Sequence, residues 1–252
     1  MKNRIAALST LVLALVVVLV VKSASNSQYL SQKPQLSAEQ LTELTEKEKK
    51  GWLTFSERLQ LARARGQRKV TVPGNPTYYP VGSSIHELNA KLSDYTIVVA
   101  ILIKKSSHLE GDTTIRTWNK FKMLDAIARV PPRPKYVNRP AVSDELLPIR
   151  EDEIVVPTEG GTTMIDGLEV TQLNSDFEFF HEGQKYMLAL SLDPTTRIGE
   201  LDLGPVGFLL LNPDNSLNDR LEAEPLPQVL KTYHAGSLER LKEDLRSKLS
   251  LP

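Results

Sequence analysis

Residues 179–212, FFHEGQKYMLALSLDPTTRIGELDLGPVGFLLLN, decide the fold. Residues 186–192 are apolar apart from Ser191, and 207–211 are apolar throughout. Each run is short, ends in turn residues, and has the length of a buried strand rather than a helix. Asp193-Pro194-Thr195-Thr196 closes the first run and Asn212-Pro213-Asp214-Asn215 the second. The proline in each has the φ that starts a turn. Two buried strands this close together imply a β-rich core.

The same grammar extends N-terminally. Residues 95–103 (YTIVVAILI) are rich in β-branched side chains and too short to span a bilayer. They read as a central strand, ended by Lys104 and Lys105. In 115–123, Ile115, Thr117, Phe121 and Met123 fall on one side and Arg116, Lys120 and Lys122 on the other. That alternation marks a strand with one wet face. It puts Trp118 on the wet side, as an edge cover or an exposed aromatic contact. Residues 154–157 make a short strand, and Asp166-Gly167 between two apolar pairs signals a type I′ hairpin. Gly204-Pro205 turns into the last strand.

Three capping boxes open helices: Ser37 with Gln40, Thr54 with Glu57, and Ser84 with Glu87. Trp52, Phe55, Leu59 and Ala62 recur at helical spacing, and Gly66 is placed to stop that helix. Arg63, Arg65, Arg68 and Lys69 suit a helix C-terminus. Leu238, Leu241, Leu245 and Leu249 form one stripe of a final helix that docks on its own domain. Proline-rich stretches at 72–81 (with Tyr78 and Tyr79), 130–142 and 221–228 read as loops. The resulting plan is α+β and mainly β: 37–66 helical, 84–218 the β domain, and 236–250 an amphipathic helix.

Residues 5–21, from Ile5 to Val21, are apolar except for Ser9 and Thr10. As a helix they span about 25 Å, slightly under a hydrocarbon core of about 30 Å. Lys2 and Arg4 precede the run, which keeps the N-terminus cytoplasmic and sends the rest across. A cleaved signal peptide is the rival reading, although Ser23 and Ser25 match a cleavage site poorly. Both place residues 23–252 outside the cytoplasm, in a cell membrane-bound or a periplasmic or secreted form. Residues 23–36 are polar and aperiodic and read as a flexible tether.

The chain has 31 basic and 31 acidic residues. Without Lys2, Arg4 and Lys22, 28 cations face 31 anions, which gives no field for nucleic acid. Cysteine is absent, which excludes disulfides, thiolate metal sites and cysteine nucleophiles. His86, His108, His181 and His234 lie far apart with no metal-ligand spacing, so neither metal nor cofactor is expected. His181-Glu182, with Asp176 and Glu178 nearby, is the densest polar group of the β region. It is the one place where an imidazole and carboxylates suit acid–base work. The blander reading is a solvated approach to a strand.

Taken together, the residues 88–94, the strand 96–103, Thr117, Phe121 and Met123, Gly160-Gly161, Asp166-Gly167, GQKYML at 183–188 and GPVGF at 204–208 resemble a widespread group of uncharacterised bacterial secreted or membrane-anchored β-domain proteins. The resemblance covers about residues 84–218. It departs at Ala100, where the group has Gly, and at Ala189, where it has Phe. It implies a small OB-like antiparallel barrel of roughly five to seven strands, and no catalytic residues. The functional expectation is a tethered, non-catalytic binding or assembly protein of the bacterial envelope. It would be held to the membrane by residues 5–21 and would engage an envelope protein partner, with Trp118, His181 and Glu182 as contact candidates. The alternatives are a hydrolase-like enzyme at His181 and a purely structural spacer.

Overall fold

A computed structural model of the chain describes residues 36–74, 84–128, 142–173, 180–217 and 225–249, with Ala128, Pro205 and Leu249 described by backbone alone. The apolar run from Ile5 to Val21, the tether up to residue 35, Tyr78, Tyr79, Asp176, Glu178 and most of the proline-rich stretches lie outside those residues. No described helix is long and apolar enough to cross a membrane.

The elements are α1 (Ala38–Lys49), α2 (Phe55–Ala64), β1 (Lys69–Pro73), α3 (Ile85–Leu92), β2 (Thr96–Glu110), β3 (Thr114–Ala128), β4 (Glu153–Glu159), β5 (Gly161–Ile165), β6 (Leu168–Leu173), β7 (Lys185–Leu192), β8 (Gly199–Glu200), β9 (Phe208–Leu211), α4 (Pro225–His234) and α5 (Leu238–Leu249). They form two compact units: residues up to Val72 with Met164–Thr171, and Pro73–Thr163 with Gln172 onward.

In the smaller unit, α1 and α2 each open on a complete capping box, at Ser37 with Gln40 and at Thr54 with Glu57. Leu44, Leu53 and Leu61 form its apolar centre, with Leu36 against them. Leu53, not Trp52, takes the buried place before α2, and Trp52 is 70 % exposed. The helical spacing misassigned Trp52 because Thr54 caps the helix two residues later. β1, β6 and β5 form a three-stranded sheet in that order. Asp166 (φ 48°) and Gly167 (φ 79°) make the hairpin turn between β5 and β6, with the positive φ pair that a type I′ turn needs. Arg63 holds that turn through the Ile165 carbonyl at 3.2 Å and the Asp166 carboxylate at 2.9 Å. Arg65 grips Glu48 through two bonds, and Lys69 pairs with Glu169. These cations are structural clamps.

The larger unit is built on an antiparallel sheet, order β4-β3-β2-β7-β8, with β9 also on β7. Val155 of β4 bridges Ile198 beside β8 in parallel, and its amide donates to the Arg197 carbonyl at 3.0 Å. The sheet therefore curls into a nearly closed barrel. Inside lie Val98, Ala100, Leu102, Phe121, Ile154, Val156, Phe180, Tyr186, Leu188 and Leu190. The outer face of β2, β7 and β9 carries Ile97, Val99, Met187 and Leu209, which pack on Leu88 and Leu92 of α3, Val229 and Leu230 of α4, and Leu241 and Leu245 of α5. Buried His234 ties the three helices together: Nδ1 lies 2.8 Å from Asp244 Oδ2 and Nε2 lies 2.9 Å from Asn89 Oδ1. Lys242 fastens α5 to Asp125 of β3 at 2.6 Å.

Two expectations change here. The strand read at 95–103 does not stop at Lys104 and Lys105. It runs to Glu110 and pairs with β3 through a register shift between Leu102 and Lys104. The lysines are accommodated because Lys104 Nζ donates to the Glu145 carbonyl and Lys105 Nζ to the Phe180 carbonyl. The proline-rich tail also yields α4, whose Pro225 and Pro227 sit in the first turn, where their missing N–H groups cost no helical bond.

Candidate functional site

The chain enters β7 through a tight turn. Gln184 N donates to His181 O at 3.2 Å, and Gly183 adopts φ 80°, which favours glycine. Gly183 N donates to Leu102 O, and Leu102 N donates to Gln184 O, so the turn extends the β2–β7 ladder by one step. The next amide on β2, that of Lys105, lies beyond the β2–β7 pairing, which ends at Ile101 with Lys185. The Glu182 carboxylate accepts its hydrogen bond at 2.9 Å. Glu182 thus closes the ladder. The Tyr186 hydroxyl locks the turn from below: it accepts from His181 N and donates to Gln184 Oε1, both at 2.9 Å.

Beneath the turn is an aromatic plug. Phe180 meets Phe121, Tyr186 and Phe208 edge-on, at ring separations of 5.2, 4.9 and 4.8 Å. Such pairs prefer this geometry and rigidify the end of the barrel. The turn is therefore rigidly mounted while the His181 side chain is exposed. Glu182 is spent on a backbone amide, and among the described residues no carboxylate is bonded to His181; Asp176 and Glu178 lie outside those residues. Of the other histidines, His86 contacts Tyr233, His108 contacts Trp118, and His234 bonds Asp244 and Asn89. No group of His, Asp and Glu suited to a metal ion occurs among the described residues.

Beside the turn runs an open groove of about 380 Å³. It is lined by Gly183, Gln184 and Lys185, by Leu210 and Leu211 of the paired strand β9 with Asn212 and Pro213 after it, and by Ile101 on the β2 side of Lys185. The Lys185 ammonium reaches the turn that follows the adjacent strand β9, donating to Pro213 O and to Asn215 Oδ1, the latter at 2.9 Å. The lining combines apolar side chains, a cation and two amides, a mixture suited to an extended peptide or a small polar ligand. Sequence reasoning missed this groove. Its only local sign is a lysine heading an apolar strand, opposite the turn Asn212-Pro213.

Trp118 is not the exposed contact that strand alternation suggested. It is 1 % exposed and packs with Leu146, Val155 and Ile198, with Val142 and Ile149 alongside. The segment 142–149, with its short helical turn at Asp144–Leu146, lies over this face of the β3 strand. Ser106 Oγ donates to Glu145 at 2.9 Å and meets Ser143 Oγ at 3.1 Å, which pins the segment down. The indole Nε1 donates to His108 Nε2 at 3.4 Å. The face was wet by pattern and is dry by coverage. Close by, Lys120 lies 2.8 Å from Glu153. Burial pushes the Glu153 carboxyl up, but the Lys120 ammonium and the Arg150 amide outweigh it and hold the group below its ordinary value.

Of the three residues singled out in the sequence, His181 and Glu182 share the turn at the groove, whereas Trp118 belongs to a packed layer. Comparison with protein-family models, with curated proteins and with solved structures gave no match.

Proposed function

We propose that the chain is a membrane-tethered, extracytoplasmic binding protein of the bacterial envelope that holds a protein partner in the groove beside Gly183. The apolar run 5–21 supports the tether and its orientation. The groove carries the binding reading. It offers an open apolar trough with a fixed cation, beside a turn locked by Tyr186 and Glu182. Preorganised loops on a rigid barrel are where such scaffolds place contacts.

The barrel is OB-like in this reading. Its circuit β2-β3-β4-β8-β7 returns to β2, with the single parallel contact between β4 and β8. OB barrels bind oligonucleotides on the face of their second and third strands. Here the corresponding strands are β3 and β4, and their outer face is filled by the chain's own segment around Leu146. That occupation favours a protein partner at the groove over nucleic acid. An exposed His181, beside a Glu182 whose carboxylate is taken by the Lys105 amide, favours binding over hydrolysis.

The test is site-specific photocrosslinking of the full-length chain in cells. A photoreactive residue replaces Gln184 in one sample and Thr195, on the β7–β8 turn, in another. One dominant envelope protein captured from position 184 alone supports the reading. Capture of nothing, or of the same proteins from both positions, removes it.

A further inference from the structure

We propose that the smaller unit carries a second, lipid-directed contact, in which Trp52 with Lys49 and Lys50 rests on an anionic phospholipid surface. The inference rests on the membrane-tethered reading and extends it. Trp52 is the most exposed large apolar side chain among the described residues, at 70 %. It follows the α1 C-terminus, where Gly51 (φ 73°) turns the chain outward. The Lys50 ammonium sits 5.1 Å from the indole centroid. An indole beside ammonium groups is the combination found where proteins meet the headgroup layer.

The surrounding charge is accounted for. Lys47 is held by Glu43 and Glu57, and Glu48 by Arg65. Lys49 and Lys50 form no ion pair among the described residues; of the exposed acids nearby, Glu43 is paired with Lys47 and Glu48 with Arg65, which leaves Glu46. The free cations therefore flank the tryptophan, and an anionic headgroup layer attracts such a cluster. Reach is sufficient. Fourteen residues separate Val21 from Leu36, and a chain of that length extends to at most about 50 Å. If residues 5–21 cross the bilayer, the surface lies within reach of α1 and the local concentration of lipid is high.

The chain has two tryptophans, and Trp118 is buried, so their signals separate. The full-length protein is reconstituted in vesicles of brominated phosphatidylcholine, with and without brominated phosphatidylglycerol, and also in detergent. Flotation reports the tether, and tryptophan quenching reports the contact. Quenching of roughly half the exposed-indole signal in anionic vesicles is expected. It should vanish in Trp52→Phe and fall in the Lys49→Glu/Lys50→Glu variant. Flotation without quenching overturns the contact and leaves the tether standing. Equal quenching with and without phosphatidylglycerol, unaffected by the lysine changes, overturns the anionic surface. Failure to float overturns both.

Discussion

The Lys120 ammonium and the Glu153 carboxylate meet at 2.8 Å between β3 and β4, with their side chains 11 and 7 % exposed. Lys120 also donates to Pro148 O, and Arg150 N donates to the same Glu153 oxygen, each at 2.8 Å. The pair is thus embedded in the connection leading into β4. Breaking such a pair from one side strands a desolvated charge, whereas removing both partners does not. Lys120→Met should cost roughly 3 kcal/mol in urea denaturation, and Lys120→Met combined with Glu153→Leu should recover most of it. A single-variant loss no larger than that of a surface pair would contradict the geometry.

Trp118 tests the coverage of the outer β3 face. Trp118→Ala should cost about 3–5 kcal/mol, the range for large-to-small changes in a core. Trp118→Phe, which keeps most of the contact with Leu146 and Val155, should cost clearly less. An exposed tryptophan would tolerate both changes. Equilibrium unfolding of the two variants decides between these outcomes.

The turn before β7 assigns different roles to adjacent residues. His181→Ala should leave stability within about 0.5 kcal/mol, as for ordinary surface positions. Glu182→Ala removes the acceptor of the Lys105 amide and should cost about 1 kcal/mol. A shift of the melting temperature in Glu182→Ala without one in His181→Ala is the expected pattern.

Glu57 gives the smaller unit an acid-sensitive contact. The Thr54 amide, the Lys47 ammonium and the Thr54 hydroxyl all bond its carboxylate and draw the carboxyl down to about 2 from an ordinary 4.5. The folded form therefore holds this proton less tightly than the unfolded chain. The stabilisation is complete above the ordinary value and is lost as pH falls toward about 2. Unfolding followed between neutral and strongly acid pH should show this loss, and Glu57→Gln should flatten that part of the profile. Thr54→Ala, which removes the N-cap, should cost about 1 kcal/mol at neutral pH.

Features decided by neighbours in sequence were legible without coordinates. The buried strands β7 and β9, the Asp166-Gly167 hairpin, the two complete capping boxes and the stripe of Leu238, Leu241 and Leu245 on α5 are all present. At Ser84 the cap forms one bond, to the Glu87 amide. The strand β1 was missed, its last residues Val72 and Pro73 falling in the loop read at 72–81, because its only buried side chain is Val72. It exists because the chain at Glu169, a hundred residues on, donates to Arg68 O.

What the sequence determined by itself is the set of local elements, since turn φ angles, N-cap bonds and apolar periodicity depend on residues a few positions apart. Composition also removed every cysteine-based chemistry. What only the tertiary structure decided is coverage and closure. The segment around Leu146 turned the wet face at Trp118 into an interior, and Val155 beside Ile198 curled the sheet. Lys185 reached across to Pro213 to shape the groove. Burial and pocket shape depend on which distant segment lies on top of a strand, and alternation along that strand carries no record of it.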